Sequence, residues 1–213
     1  TAPFWVATNW LAYAYTSEKR FRDFALDMFR KLDPYTARFQ YYIAGVLGYE
    51  LTGLDLLRQK SIEASRFLCS MFNVTLEQIP AFPGGDDVII DILPSLAVLW
   101  WDYTENEAVE SRDIALANWK RSAKDFIPPD GSTYQSIHYD LDLGAIKMRH
   151  CHHDARRDDA CASQTHAWAI NGYGYAYQAV KDDVFLNAGR RVIDYALGNL
   201  PSDLVPYHNF EVY

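Results

Sequence analysis

The sequence predicts an all-α protein of the α/α toroid type, and two regularities carry that prediction. Helical periodicity runs through most of the 213 residues, with segments apolar all round alternating with segments apolar along one face. The junctions between the two kinds also repeat. Tyr15-Thr16-Ser17-Glu18 can be laid over Leu51-Thr52-Gly53-Leu54, over Tyr103-Thr104-Glu105-Asn106 and, loosely, over Ala179-Val180-Lys181-Asp182. A helical hairpin used four times marks a repeat architecture in which neighbouring hairpins bury one another. Buried helices inside and half-exposed helices outside close naturally as a toroid, whereas a flat solenoid leaves its inner helices half exposed.

The wholly apolar segments are 9–15, 41–51, 94–103 and 162–180. The amphipathic ones are 17–32, 54–72, 105–124 and 183–197. In the first of these Phe21, Phe24, Ala25, Met28 and Leu32 fall on one face, with Lys19, Arg22, Asp23, Asp27 and Arg30 elsewhere. In the second, Leu57, Ala64, Leu68 and Met71 follow the same rule. Gly198 and Pro201 supply the stop after the last helix. Two stretches break the pattern: a turn-rich connection at 80–87 containing Pro83-Gly84-Gly85, and a polar, His-rich connection at 128–160 with some alternation around 133–143. Connections that long in a compact domain are usually functional. The organisation expected is one α/α toroid domain over 1–213, part of a longer barrel.

Composition narrows the function. The formal net charge is −8, which argues against a nucleic-acid or anionic-membrane partner, whose footprint is a basic surplus. The longest apolar stretch, 88–101, is 14 residues and contains Asp91 and Pro94. A spanning helix needs roughly 20. No basic stretch followed by an apolar one opens the sequence as given, so no signal peptide is expected in it. Aromatic residues make up 15%, enough for a thick core or for stacking on a flat ligand. Cys151 and Cys161 are close enough to pair, with Cys69 a small apolar residue in a helix. That pair and the sequon Asn73-Val74-Thr75 slightly favour secretion, but the compartment stays open.

Asp91 is the most informative single residue. Its neighbours Val88, Ile89, Ile90, Ile92, Leu93 and Leu96 are apolar, and desolvation of a carboxylate raises its pKa toward the range of a general acid. The same residue precedes Pro94-Ser95 and suits a helix N-cap; the two readings are compatible. His150-Cys151-His152-His153-Asp154 with Cys161 and His166 offers zinc-type ligands, yet the spacing matches no compact finger pattern, and Arg149, Arg156 and Arg157 crowd it with positive charge. A disulfide or a polar site loop is the preferred reading. Trp5 and Trp168 sit beside or within inner helices, where a toroid opens its cavity and an indole face suits a sugar ring.

Longer motifs point to one family. Ala162-Ser163-Gln164-Thr165-His166-Ala167-Trp168-Ala169-Ile170-Asn171-Gly172 resembles the Trp-Ser-Arg-Gly-Gln-Ala-Trp motif of the unsaturated glucuronyl hydrolases, glycoside hydrolase family 88. Asn199-Leu200-Pro201-Ser202-Asp203-Leu204-Val205-Pro206-Tyr207 is similar to that family's Leu-Pro-x-Asp-x-Val-Pro-Tyr segment, Val88-Ile89-Ile90-Asp91 to its Ile-Ile-Asp motif, and Phe4-Trp5 to its early Phe-Trp element. The resemblance implies a barrel of six helical hairpins, of which this chain supplies a shortened version, and a hydrolase with no metal or other cofactor. In that family an Asp protonates C4 of the C4=C5 double bond of a terminal unsaturated uronic acid, water adds at C5, and the hemiketal opens to release the neighbouring sugar.

Carried over, Asp91 is the acid, His138, His152 and His153 polarise water or hydroxyls, and Trp5 and Trp168 stack on rings. Arg149 is the candidate for carboxylate recognition, its alternative being a solvated loop charge. Gln164 and His166 occupy the motif's Arg and Gln positions and join the substrate-binding set. An uncharged Gln cannot replace the charge-assisted contact of an Arg, and the family's His-Asp-Gly-Phe segment reads Thr-Ala-Arg-Phe-Gln-Tyr-Tyr at 36–42. The rival readings are a non-catalytic carbohydrate-binding relative, an enzyme for unsaturated rhamnogalacturonan fragments, and a zinc-dependent helical protein.

Overall fold

A computed structural model describes residues 2–33, 35, 41–151 and 160–210. His152 and His153, and with them Arg156 and Arg157, lie outside the described residues. The chain divides into two compact units, one of residues 1–70 with 98–112 and the other of 71–97 with 113–213.

In the first unit, α1 (Ala2–Thr16) and α2 (Lys19–Arg30) form a hairpin, followed by a π-helical stretch, Tyr42–Val46, that runs into α3 (Leu47–Thr52). Helix α4 (Asp55–Met71) comes next. Trp10 is fully buried, and its indole N–H donates to the Ala44 carbonyl at 2.8 Å. Gly48 is what lets the backbone come so close. A Cβ there would stand 2.6 Å from Trp10 Cε2. Ala25 and Phe29 are the buried positions of α2, and Phe29 meets Tyr41 edge to face at 5.5 Å.

The division between the units passes through α5 (Ile92–Asn106) and α6 (Val109–Asp125), and the second unit also holds α7 (Ser163–Val180) and α8 (Asp183–Asn199). Trp119 of α6 is fully buried, donates to the Leu93 carbonyl at 3.3 Å and packs on Phe185 of α8 at 6.0 Å. Helix α7 lies against the start of α5, where a Cβ on Gly172 would stand 3.0 Å from the Leu93 carbonyl carbon.

The repeated junction has a physical basis. Ser17, Gly53, Glu107 and Lys181 are all left-handed, with φ of 60°, 67°, 57° and 58°. Each donates its backbone N–H to the carbonyl of a tyrosine four residues back, Tyr13, Tyr49, Tyr103 and Tyr177, at 2.7–2.9 Å. This is the left-handed C-terminal cap that closes a helix and turns the chain. The third junction is therefore framed on Glu107, not on Glu105 as the sequence overlay has it.

The expectation of an all-α chain needs one addition. The two irregular connections pair as a three-stranded antiparallel sheet, β1 (Asp87–Ile89), β2 (Ser136–Tyr139) and β3 (Ile146–His150), in that order. Val88 and Ile137, directly opposite each other, are fully buried. The sheet is anchored to α6 through Asp125, which is 4% exposed and accepts from Arg121 and from the Tyr139 hydroxyl at 2.9 Å. Arg121 also donates to the Gly144 carbonyl at 2.7 Å. Burial and the neighbouring carboxylate push the Tyr139 hydroxyl well above the ordinary tyrosine pKa, so it stays a donor.

The proposed Cys151–Cys161 pair is corrected: the two are not joined in a disulfide, and both are buried thiols. Cys161 Sγ lies 3.4 Å from His166 Nδ1 and 3.4 Å from the Thr133 amide nitrogen. Nearness in sequence brought the two cysteines together on paper, whereas the fold turns Cys161 toward Thr133.

Candidate active site

The sheet decides which polar groups of the long connections meet. Asp87 pairs with His138, which pairs with Met148, and Ser136 pairs with His150. Side chains alternate across a strand, so Asp87, His138 and His150 share one face, while Val88, Ile137 and Arg149 take the other. On the first face the His138 and His150 rings lie nearly parallel, 18° between planes with centroids 5.1 Å apart. His138 Nδ1 is 3.1 Å from Asp86 Oδ1, and the Ser136 hydroxyl donates to Asp87 Oδ1. The backbone carries the ladder one residue further, Ile90 N–H donating to the Gln135 carbonyl at 2.9 Å. Asp91 then stands, half-buried, in the turn directly before α5. The helix-cap position foreseen for it and its place at the end of the sheet therefore coincide.

Arg149 sits on the opposite face. Its Nε is 3.4 Å from the Asp125 carbonyl and its guanidinium lies 5.2 Å from the Tyr134 ring centroid, a cation–π contact. Trp168 is half-buried on α7 and Gln164 exposed near its start. His166 is 1% exposed, with Nδ1 3.1 Å from Thr133 Oγ1 and Nε2 2.8 Å from the Val192 carbonyl. Phe210 and Tyr195 pack its ring. A carbonyl only accepts, so Nε2 carries the proton, which leaves Nδ1 to accept. That is the geometry of a packed core histidine. Trp5 belongs to the first unit, 61% exposed on α1 beside Asn9, Arg20, Phe21 and Phe24.

No family model matches the chain. It is 26% identical over 228 residues to the unsaturated glucuronyl hydrolase of Bacillus sp. (strain GL1), covering 100% of this chain and 60% of that one. It is 26% identical over 224 residues to the unsaturated chondroitin disaccharide hydrolase of Streptococcus pneumoniae (strain ATCC BAA-255 / R6), covering 97% and 56%. The crystal structure of the Bacillus sp. GL1 unsaturated glucuronyl hydrolase superposes with a TM-score of 0.90 at 24% identity, over 99% of this chain and 60% of that one. The chain is a relative of the unsaturated glucuronyl hydrolases. It spans 56–60% of the length of these curated relatives. Its helical fold is that of those α/α toroid enzymes.

Set beside the glucuronyl hydrolase motif, α7 begins at Ser163, and the motif's altered positions part company: Gln164 faces solvent while His166 is sealed in the core. The Asn199–Tyr207 region follows α8 and leads to Asn209, whose bridge with Ala162 ties the two motifs together. Asp86, Asp87 and the stacking of His150 on His138 are the site features that sequence reading missed. The alternation Asp87-Val88-Ile89 and Ser136-Ile137-His138-Tyr139 is their signal, too short in each strand to read without the pairing.

Proposed function

We propose that this chain forms part of a single α/α toroid and is a glycoside hydrolase of the unsaturated uronyl type, hydrating the C4=C5 bond of a terminal unsaturated uronic acid. The observation that carries the reading is the placement of Asp91 at the end of a sheet whose exposed face is lined by histidines and carboxylates, in a chain related to such hydrolases. Asp91 delivers the proton to C4 and takes one from the water that adds at C5. His138, with His152 and His153, polarises that water or the ring hydroxyls, and Trp168 offers a face to a sugar ring; Trp5, on the first unit, is a separate aromatic candidate for sugar stacking. Gln164 adds a polar contact, and Arg149, on the other face of the sheet, is the remaining candidate for the uronate carboxylate. A structural relative from Streptococcus agalactiae, 21% identical, was solved with dGlcA-GalNAc6S, an unsaturated uronyl disaccharide.

The test follows the ultraviolet absorbance of an unsaturated uronyl disaccharide in the presence of the chain and of Asp91→Asn. Decay with the wild type and none with the variant supports the reading. A second reading, a sugar-binding relative without turnover, is favoured by one observation: His166, at the motif's Gln position, is spent on Thr133 and Val192 inside the core. Binding of the disaccharide without decay in either protein would establish it. A panel including unsaturated rhamnogalacturonan fragments separates the remaining substrate class.

A further inference from the structure

We propose that Asp87, His138 and His150 form a binding site for a divalent transition-metal ion, with zinc the foremost candidate. Each strand of the sheet contributes one of them, and the register puts all three on one face. They are the one group among the described residues whose donor atoms gather for a metal, all within 4.8 Å of one another. Zinc lies about 2.0–2.2 Å from nitrogen and carboxylate ligands, so two ligands of one tetrahedral ion stand about 3.3–3.6 Å apart. Small side-chain rotations close the difference, and all three residues are half-buried at the surface.

The surroundings suit a cation. Asp86 engages His138 Nδ1 at 3.1 Å and so turns Nε2 outward, the carboxylate–histidine pairing that fixes tautomer and ring orientation at metal centres. Ser136 does the corresponding work for the Asp87 carboxylate. Asp86 and Asp87 add negative charge, and the parallel His138 and His150 rings present their edges side by side. Two imidazoles with one carboxylate select borderline ions of the zinc, copper and nickel kind over magnesium or calcium, which prefer oxygen ligands. Three protein ligands leave a coordination position for water or for an oxygen of a bound molecule. The set shares only His150 with the sequence cluster His150-Cys151-His152-His153-Asp154, Cys161 and His166, of which Cys161 and His166 are engaged together in the core. It shares His138 with the proposed hydration machinery, so its test reads zinc itself and not turnover.

Isothermal titration of the full chain with zinc, with magnesium as comparator, reads the site directly. One zinc per chain is expected, and no saturable magnesium. Asp87→Ala, His138→Ala and His150→Ala each weaken zinc at least about tenfold, and Asp86→Asn, which removes no ligand, weakens it by about 10–100-fold. A His152→Ala/His153→Ala double variant keeps wild-type affinity, and unchanged helical circular dichroism certifies that each variant is folded. Absence of zinc binding, survival of binding in His138→Ala, or its loss in the His152→Ala/His153→Ala chain each overturns the assignment, whatever the outcome of the disaccharide assay.

Discussion

Two glycines of α7, two residues apart, should respond to the same substitution with opposite sign. Gly174→Ala adds a methyl to open space, since nothing lies within 4 Å of its Cβ position. Gly172→Ala drives one into Leu93, whose Cβ is closer still than its carbonyl carbon at 3.0 Å and its Cα at 3.2 Å. Two of these three atoms are backbone at the start of α5, so no rotamer change relieves the clash. Replacing a helix-interior glycine by alanine is intrinsically favourable by about 0.8–1.0 kcal/mol, and that gain is common to both sites. Overpacking a tight contact costs about 1–3 kcal/mol and applies to Gly172 alone. The difference between the variants therefore isolates the steric contribution at about 1–3 kcal/mol. For a chain of this size that is a separation of about 2–12 °C in melting temperature, Gly174→Ala above wild type and Gly172→Ala at or below it. Thermal melts and guanidinium titrations of the three proteins side by side measure it. Equal shifts in the two variants would refute the close approach of α7 to α5.

The ion pair under the sheet gives a larger effect. Asp125→Ala strips the half-buried Arg121 of its counter-charge and the buried Tyr139 of its acceptor, and should cost about 2–5 kcal/mol by chemical denaturation; under about 1 kcal/mol would contradict the network. The left-handed junction at Glu107 (φ 57°) imposes strain that glycine lacks, so Glu107→Gly should gain up to about 1 kcal/mol. A loss in the same melts would contradict the cap. Hydrogen bonds from the Leu143 and Asp142 amides, then Lys147, hold the Asp140 carboxyl below its ordinary pKa of 3.8. A lowered folded pKa means that its stabilisation is present above the unfolded value and is lost as the pH falls through the folded one. Carbon-13 NMR titration should place the Asp140 midpoint under 3.8, and the stability gap between wild type and Asp140→Ala should shrink as the medium is acidified below that value.

The helices were legible because periodicity reports burial directly. The segments 54–72, 162–180 and 183–197 became Asp55–Met71, Ser163–Val180 and Asp183–Asn199. The sheet was not, for a reason of distance along the chain. Strands of three to five residues whose partners lie up to 51 positions away carry no local signature, and the apolar run that opens in β1 carries on into α5 with Asp91 alone between them. Asp91 was visible because one carboxylate interrupts that run. Asp86 and Asp87 were hidden among turn residues and acquire meaning only when β2 brings His138 alongside. His166 shows the opposite failure: its place in a motif suggested sugar contact, while its partners Thr133 and Val192 come from elements far away in sequence. The third junction slipped by two residues because Thr104 matches the threonines of the others, whereas the cap is set by which carbonyl the chain returns to.

The chemistry-bearing groups sit on a ribbon grafted into two interhelical connections, and its farthest reach is the tight turn from Asp140 to Ala145, where Asp140 N–H meets the Ala145 carbonyl at 2.7 Å. Leu141 and Leu143 are exposed there, while Arg121 of α6 holds the turn through the Gly144 carbonyl. The scaffold thus separates segments that must be invariant for folding from a short turn whose exposed side chains can vary. Changes of length or side chain in that turn would leave the hairpin caps and the α5–α7 seam as they are.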